Sequence, residues 1–286
     1  MAKGYTVQDF YKQFPDDDAC LNHLMRVCYG ETLDCPKCGR NGGVHRLRNE
    51  PAFACQWCGN HIHPMVGTPF EKSHTPLQKW FYAMYLFTTS RHGVPAKELQ
   101  RQLGITYKTA WRMAHELRKY MAGVDGDDDL SGHVEVDETY IGGKRSGGKR
   151  GRGAPGKTIV FGMLEREGDV MTRVVPNVRR ATLEAAIAEH VIAGTSISSD
   201  ELHSYGHLDR LGYMHRAVRH ATEQWVDGET HTNGIEGFWS QIKRSIRGTH
   251  IHVSGKHLSK YLGEFEFRYN MRKQPELMFS RLLASF

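Results

Sequence analysis

Four cysteines and three acids have the types and spacing for chemistry. Cys35, Cys38, Cys55 and Cys58 form two C-x2-C pairs separated by sixteen residues. Such pairs match a tetrahedral Zn(Cys)4 site, because each turn presents two thiolates to one ion. Gly39 and Gly59 follow the pairs and permit the tight backbone. A segment this short buries too little apolar surface to fold alone, so bound zinc supplies its folding energy. Four sulfur ligands close the shell, which makes the expected site structural. Two disulfides would need an oxidising compartment, and the mixed, polar Met1–Phe10 is no secretion signal. Cys20 and Cys28 fall in a helical stretch, Asp16–Cys28, and read as buried thiols. His61 and His63 read as alternate residues of a strand, with a second metal site as the lesser reading.

The acids are Asp137, Asp200 and Glu236. Asp137 lies within an alternating segment, His133–Ile141, that reads as a strand. It shares one face with His133, Glu135, Thr139 and Ile141. Carboxylates inside a strand are disfavoured and need a metal or a solvated face to explain them. Asp200 follows the short strand Ser196–Ser199, at the carboxyl end where open α/β sheets bind ligands. Glu236 opens an amphipathic helix, Asn233–Ile246, with Ile235, Phe238, Trp239, Ile242 and Ile246 on its apolar face. Glu236, Ser240, Lys243 and Arg247 share the other face. Singly, each acid has an ordinary use as a turn, cap or solvated residue. Together they occupy the first strand, the end of a later strand and the next strong helix.

The elements around these residues divide the chain. Residues 1–30 read as a helical leader and 31–70 as a zinc ribbon. Residues 71–124 read as a helical DNA-binding segment, and 125–286 as an α/β catalytic domain with a mixed sheet flanked by helices. A helix starts at Pro76-Leu77. Pro95–Leu103, Gly104 and Tyr107–Met121 then give helix, short turn, helix. The second of these would expose Tyr107, Lys108, Arg112 and His115 near its start, where a recognition helix meets base edges. The acidic linker Val124–Asp129 precedes the strands, and Ile159–Glu165, Val170–Val175 and a helix at Thr182–Val191 follow.

Composition narrows the classes. The 286 residues carry 38 Lys and Arg against 32 Asp and Glu, a formal +6. No run of apolar residues is long enough to span a bilayer, and 39% apolar content excludes a wholly disordered chain. The small net charge hides local concentrations. Lys144, Arg145, Lys149, Arg150, Arg152 and Lys157 fall in one glycine-rich stretch without an acid. Lys243, Arg244, Arg247, Lys256, Lys260, Arg268, Arg272 and Lys273 crowd the last forty-odd residues. Such charge suits phosphate neutralisation on DNA. The aromatics of Leu258–Arg272 read as helical core. His231 reads as a neighbour of the acids.

The combination resembles the DDE transposases with a ribonuclease H-like fold, in the insertion-sequence branch that carries an N-terminal zinc ribbon. The similar stretches are the two cysteine pairs, T-P-L-Q-K-W-F, Y-K-T-A-W-R, V-E-V-D-E-T-Y-I-G-G-K, S-D-E-L-H-S-Y, H-T-N-G-I-E-G-F-W-S-Q-I-K-R and H-V-S-G-K-H-L-S-K-Y-L-G-E-F-E-F-R-Y-N-M-R. They run from about residue 15 to 275. The resemblance implies a ribonuclease H-like catalytic domain and matches Asp137 and Asp200 to the first two acids. Glu236 is preferred for the third, with Asn233 as its alternative, and Lys243 matches a basic residue seven positions on. It implies Mg2+ or Mn2+ at the acids, with Asp137 between two ions. The implied activity is cleavage at inverted-repeat ends and joining of the 3′-OH to target DNA. The implied partners are double-stranded DNA and further copies of the chain, as a homodimer or higher multimer. The implied location is a bacterial cytoplasm, at the nucleoid, with no membrane. A DNA-binding regulator with an inert core, or a nuclease without strand transfer, are the competing readings.

Overall fold

The computed structural model describes residues 5–125, 129–142, 156–218, 226 and 228–286. Lys144, Arg145, Lys149, Arg150 and Arg152 lie outside the described residues. The chain forms two compact units, Met1–Tyr120 with Gln274–Phe286, and Met121–Lys273.

The first unit begins with α1 (Val7–Gln13) and α2 (Asp17–Tyr29). A capping box starts α1: Thr6 Oγ1 accepts from the Asp9 N–H at 3.2 Å, and the Asp9 carboxylate accepts from the Thr6 N–H at 2.9 Å. Asp16 caps α2 through the Ala19 N–H. Then β1 (Val44–Arg46), β2 (Phe53–Cys55) and β3 (His61–Ile62) form an antiparallel sheet in that order. Helix α3 (Leu77–Thr89) buries Trp80, Phe81, Met84 and Phe87. Phe10 and Phe14 of the leader pack on this core, with Phe14 4.9 Å from Phe81 between centroids. Each such buried ring contributes roughly 1.5–3 kcal/mol. Cys20 is buried as expected, but Cys28, in the last turn of α2 past the buried Leu21, Leu24 and Met25, is exposed.

Helices α4 (Ala96–Leu103) and α5 (Tyr107–Asp125) are joined by a turn at Gly104. Thr106 Oγ1 accepts from the Thr109 N–H at 3.2 Å and starts α5. Leu99, Leu103, Ala110, Met113, Ala114 and Leu117 are buried along the seam. The last helix, α9 (Met278–Leu283), belongs to this first unit, whereas the sequence reading ran one domain to residue 286. The reason is apolar: Phe279 lies 5.1 Å from Tyr5 and 5.8 Å from Tyr85, and Leu282 and Leu283 are buried.

The second unit is built on five strands: β4 (His133–Gly142), β5 (Lys157–Glu165), β6 (Val170–Val175), β7 (Ser196–Ser199) and β8 (Met214–Ala217). Their order is β6-β5-β4-β7-β8. β5 runs antiparallel to β4 and β6, while β7 runs parallel to β4 and β8. Alternation sends Val134, Val136, Phe161, Met163 and Ile197 to one face, under Leu183, Ala186 and Ile187 of α6 (Arg180–His190). It sends Ile141, Val160 and Leu164 to the other. There they meet α7 (Asn233–Ser245) and α8 (Gly255–Asn270), including Phe265 and the flanking Tyr261 and Tyr269. This mixed sheet flanked by helices agrees with the α/β fold that the resemblance implies. β8 was not legible in advance. The outer edge of β6 is closed by α8: Asn270 Oδ1 accepts from the Val170 N–H at 2.8 Å, and Glu266 Oε1 from the Thr172 N–H at 2.7 Å.

Candidate functional site

In the ribbon the four cysteine sulfurs converge. Cys35 and Cys58 Sγ lie 3.7 Å apart, and Cys38 and Cys55 Sγ 3.8 Å. A tetrahedron with Zn–S bonds of about 2.3 Å has edges of about 3.8 Å, so the donors fit that ion. The glycines after both pairs adopt φ of 66° and 68°. Backbone N–H groups of Cys38 and Lys37 hold the Cys35 thiol down to about 6. At Cys58 the Asn60 N–H is outweighed by burial and the other three sulfurs, which push that thiol up to about 11. The thiols thus share their protons, and a metal must displace those that remain.

In the second unit, single carboxylate oxygens of Asp137, Glu138 and Asp200 lie within 4.8 Å of one another. Asp137 sits in β4, and Asp200 follows β7, the strand hydrogen-bonded alongside. Asp200 Oδ1 accepts from the Leu202 N–H at 3.0 Å, which fixes the turn after the strand. Burial, then the charges of Glu138, Asp200 and Glu236, push Asp137 up to about 8. Strand alternation puts Glu138 on the opposite face of β4 from Asp137. Tyr205 OH donates to its Oε2 at 3.1 Å, yet its carboxylate still reaches the group.

Glu236 is not in that trio, although its charge acts on Asp137. It is exposed in the first turn of α7, where Thr232 Oγ1 donates to its Oε1 at 3.0 Å. Asn233, the alternative third residue, is exposed at the first position of α7. Lys243 lies two turns further along, half-buried. Desolvation lowers its pKa, while the charge of Asp137 acts in the opposite sense.

Three positioning residues went unread in the sequence. Trp239 Nε1 donates to Asp137 Oδ2 at 3.0 Å. Gly162, register partner of Asp137, makes room for that indole: a Cβ there would stand 2.4 Å from Trp239 Cζ2. Gly162→Ala is therefore expected to cost about 1–3 kcal/mol by overpacking. It should also tilt the ring away from Asp137. Thermal unfolding and tryptophan fluorescence check this, and unchanged values in both would contradict the close approach. The third residue, Glu135, is 1% exposed. It accepts from Gly234 and Ile235 N–H at 2.7 and 3.0 Å, pinning the start of α7 to β4. Arg166 Nε donates to it at 2.9 Å, and His231 Nδ1 lies 3.1 Å away. His231 thus neighbours this anchor.

Two family models match the chain. One, an ISXO2-like transposase domain, matches residues 129–270; the other, a transposase zinc-ribbon domain, matches residues 15–61. An uncharacterized transposase-like protein of Haemophilus influenzae is 35% identical over 101 residues, 35% of this chain and 80% of that protein. The chain belongs to the transposases. An uncharacterized protein in the transposable element ISH50 of Halobacterium salinarum is 26% identical over 92% of this chain and 94% of its own. Structures of Mos1 transposase are more distant. The pre-cleavage transpososome is 13% identical, with a TM-score of 0.30 over 72% of this chain and 78% of its own. The strand transfer complex is 12% identical, with a TM-score of 0.31 over 72% and 77%. Likeness at that level adds nothing to the topology.

The transposase presents only part of the helix-turn-helix face read from its sequence. Tyr107 and Lys108 are exposed at the start of α5, with Lys97 over the Tyr107 ring at 4.8 Å. Arg112 turns inward instead: Nη2 donates to Ser73 Oγ at 3.1 Å, and the guanidinium lies 5.4 Å from the Trp80 ring centroid. His115 is 2% exposed and stacks on Trp111 at 3.8 Å between centroids. His115 is buried because the buried stripe of α5 is wider than its apolar residues alone imply, while the half-buried Arg112 is drawn toward Ser73 and Trp80. Trp111, missed in the sequence, is 38% exposed beside Tyr107 and Lys108.

Ser240, Lys243, Arg244, Arg247 and Gly248 line an open groove of about 560 Å3 along α7 and the π-turn Ile246–His250 after it. Three of the cations expected to meet DNA therefore share one surface. Among the described residues, no helix is long and apolar enough to cross a membrane.

Proposed function

We propose that this transposase binds the terminal inverted repeats of a mobile element, cuts the DNA there and joins the freed 3′-OH to target DNA. The observation that carries the reading is the meeting of Asp137 and Asp200 in a ribonuclease H-like sheet, with Glu236 acting on Asp137 from α7. The donor set fits Mg2+ or Mn2+, which take hard oxygen ligands at about 2.0–2.2 Å. Bound there, two such ions would activate a water and stabilise the departing 3′ oxygen. Asp137 would hold both ions, Asp200 one and Glu236 the other. Glu138, anchored by Tyr205, adds a fourth carboxylate to the group. Lys243, Arg244 and Arg247 would receive phosphates beside the acids. Tyr107, Lys108 and Trp111 would meet the ends, and zinc would hold the ribbon. The ribbon and helix-turn-helix would then form the end-binding part, ahead of a catalytic part, in a chain acting as a dimer or larger multimer. Lys144, Arg145, Lys149, Arg150 and Arg152 of the glycine-rich stretch are proposed as further phosphate contacts.

Labelled DNA with the native element ends, a target plasmid and Mg2+ test the reading. Joined products are expected. Cut but unjoined DNA would make the chain a nuclease, and a mobility shift without cutting a regulator.

Metal uptake should also depend on pH. Asp137 is protonated below about 8 without metal, so an ion must displace that proton. Mn2+ affinity is expected to rise by up to about tenfold per pH unit toward 8 and level off above it. In the metal-free protein the sign reverses. A carboxyl raised above its unfolded value of about 3.9 stabilises fully below that value, and this stabilisation is lost as pH rises through about 8. Mn2+ titrations by electron paramagnetic resonance between pH 5.5 and 8.5 check the first trend; a flat profile would contradict it.

A further inference from the structure

Outside both sites, the ribbon brings together three side chains that neither the cysteines nor the acids need. One ligand atom each from Glu50, His61 and His63 lies within 4.8 Å of the other two. We propose that they form a second zinc site, with three protein ligands and one open position.

The sequence supplies two of the ligands through strand alternation. His61 and His63 flank Ile62, which is 2% exposed, so both imidazoles stand on the solvent side of β3. Their ring centroids are 6.4 Å apart. Register pins β3 through Phe53↔Ile62 and Ala54↔His61. The third ligand comes from the β1–β2 turn. Glu50 Oε1 is 2.9 Å from His61 Nδ1. The turn that carries Glu50 is held from inside by Arg46, whose guanidinium donates to the carbonyls of Leu47, Glu50 and Ala52. His61 is thus placed by a short strand, His63 directly after it, and Glu50 by a braced turn.

Two imidazoles and a carboxylate are a donor set that zinc accepts, and three protein ligands leave its fourth position open. The cysteine shell has no such opening. The second site would therefore exchange metal more readily, tying the β1–β2 turn to β3 when filled. It rests on the ribbon alone and not on the catalytic reading.

Full-length protein in excess Mg2+, which occupies carboxylate sites, is titrated with Zn2+ after mild chelation. Two zinc ions per chain are expected for the wild type and one for His61→Ala/His63→Ala. Glu50→Gln should weaken the second ion at least about tenfold. With Co2+ as the probe, the first equivalent should show thiolate-to-metal charge transfer and the second only weak visible bands. The double variant should keep the thiolate band, which shows its ribbon folded. A wild type that binds one zinc, or a double variant that still binds two, overturns the proposal. Loss of the thiolate band in the wild type would instead refute the cysteine site.

Discussion

Asp137→Asn is expected to lower strand cleavage more than about a thousandfold, beyond what removing a single charge-stabilising donor usually costs. End binding and folding should survive. The amide removes a negative charge at the position proposed to hold both ions, so the loss falls on the chemical step. The fold has reason to tolerate it. Asp137 already favours its neutral form, pushed to about 8 by burial and by Glu138, Asp200 and Glu236. An asparagine oxygen can still accept from Trp239 Nε1, the partner now at 3.0 Å. The metal-free variant should therefore melt at or above the wild-type temperature near pH 7.5, where the acid begins to charge. Cleavage rate, end-binding affinity and Tm measured on one preparation separate these effects. A variant that unfolds would make Asp137 structural, and one that cuts normally would remove it from the site.

Glu135→Gln should produce the largest loss of stability, about 3–5 kcal/mol, as expected when a buried charge network loses one partner. One oxygen of Glu135 accepts from Arg166 and lies beside His231; the other accepts from two backbone N–H groups of α7. Whichever way a glutamine amide turns, its NH2 faces a donor. Tm is expected to fall by roughly 10 °C, at a few degrees per kcal/mol for a unit of this size. Cleavage should fall with it, because the start of α7 carries Thr232, Glu236 and Trp239. Denaturant unfolding gives the stability directly. Unchanged stability would mean that α7 is held by its apolar face alone.

These expectations show where the sequence was readable. The cysteine pairs, the turn at Gly104 and the alternation through His133–Ile141 are local patterns, set by contacts within a few residues. Asp137 and Asp200 were legible as strand-borne acids for the same reason. Glu135 was visible only as another acid on that face, since its partners lie 31 and about 100 positions away. Gly162 matters through an indole 77 positions later, and no local pattern marks it. His115 was misread because a helix packed on several neighbours buries polar residues beside its apolar stripe, and Arg112 because Ser73 and Trp80, more than thirty positions away in sequence, engage its guanidinium. Residues 274–286 were assigned to the catalytic part by chain order, whereas Phe279 finds its apolar partners among the first ninety residues.

The central claim is that the carboxylate site on β4 and β7 directs a 3′-OH onto target DNA. The most direct measurement uses an element end already cut to expose its 3′-OH, mixed with target plasmid, Mg2+ and protein. Joining is expected for the wild type with a 3′-OH end. It should vanish with a 3′-deoxy end and with Asp137→Asn. Joining of the 3′-deoxy end, or full joining by the variant, would contradict the account.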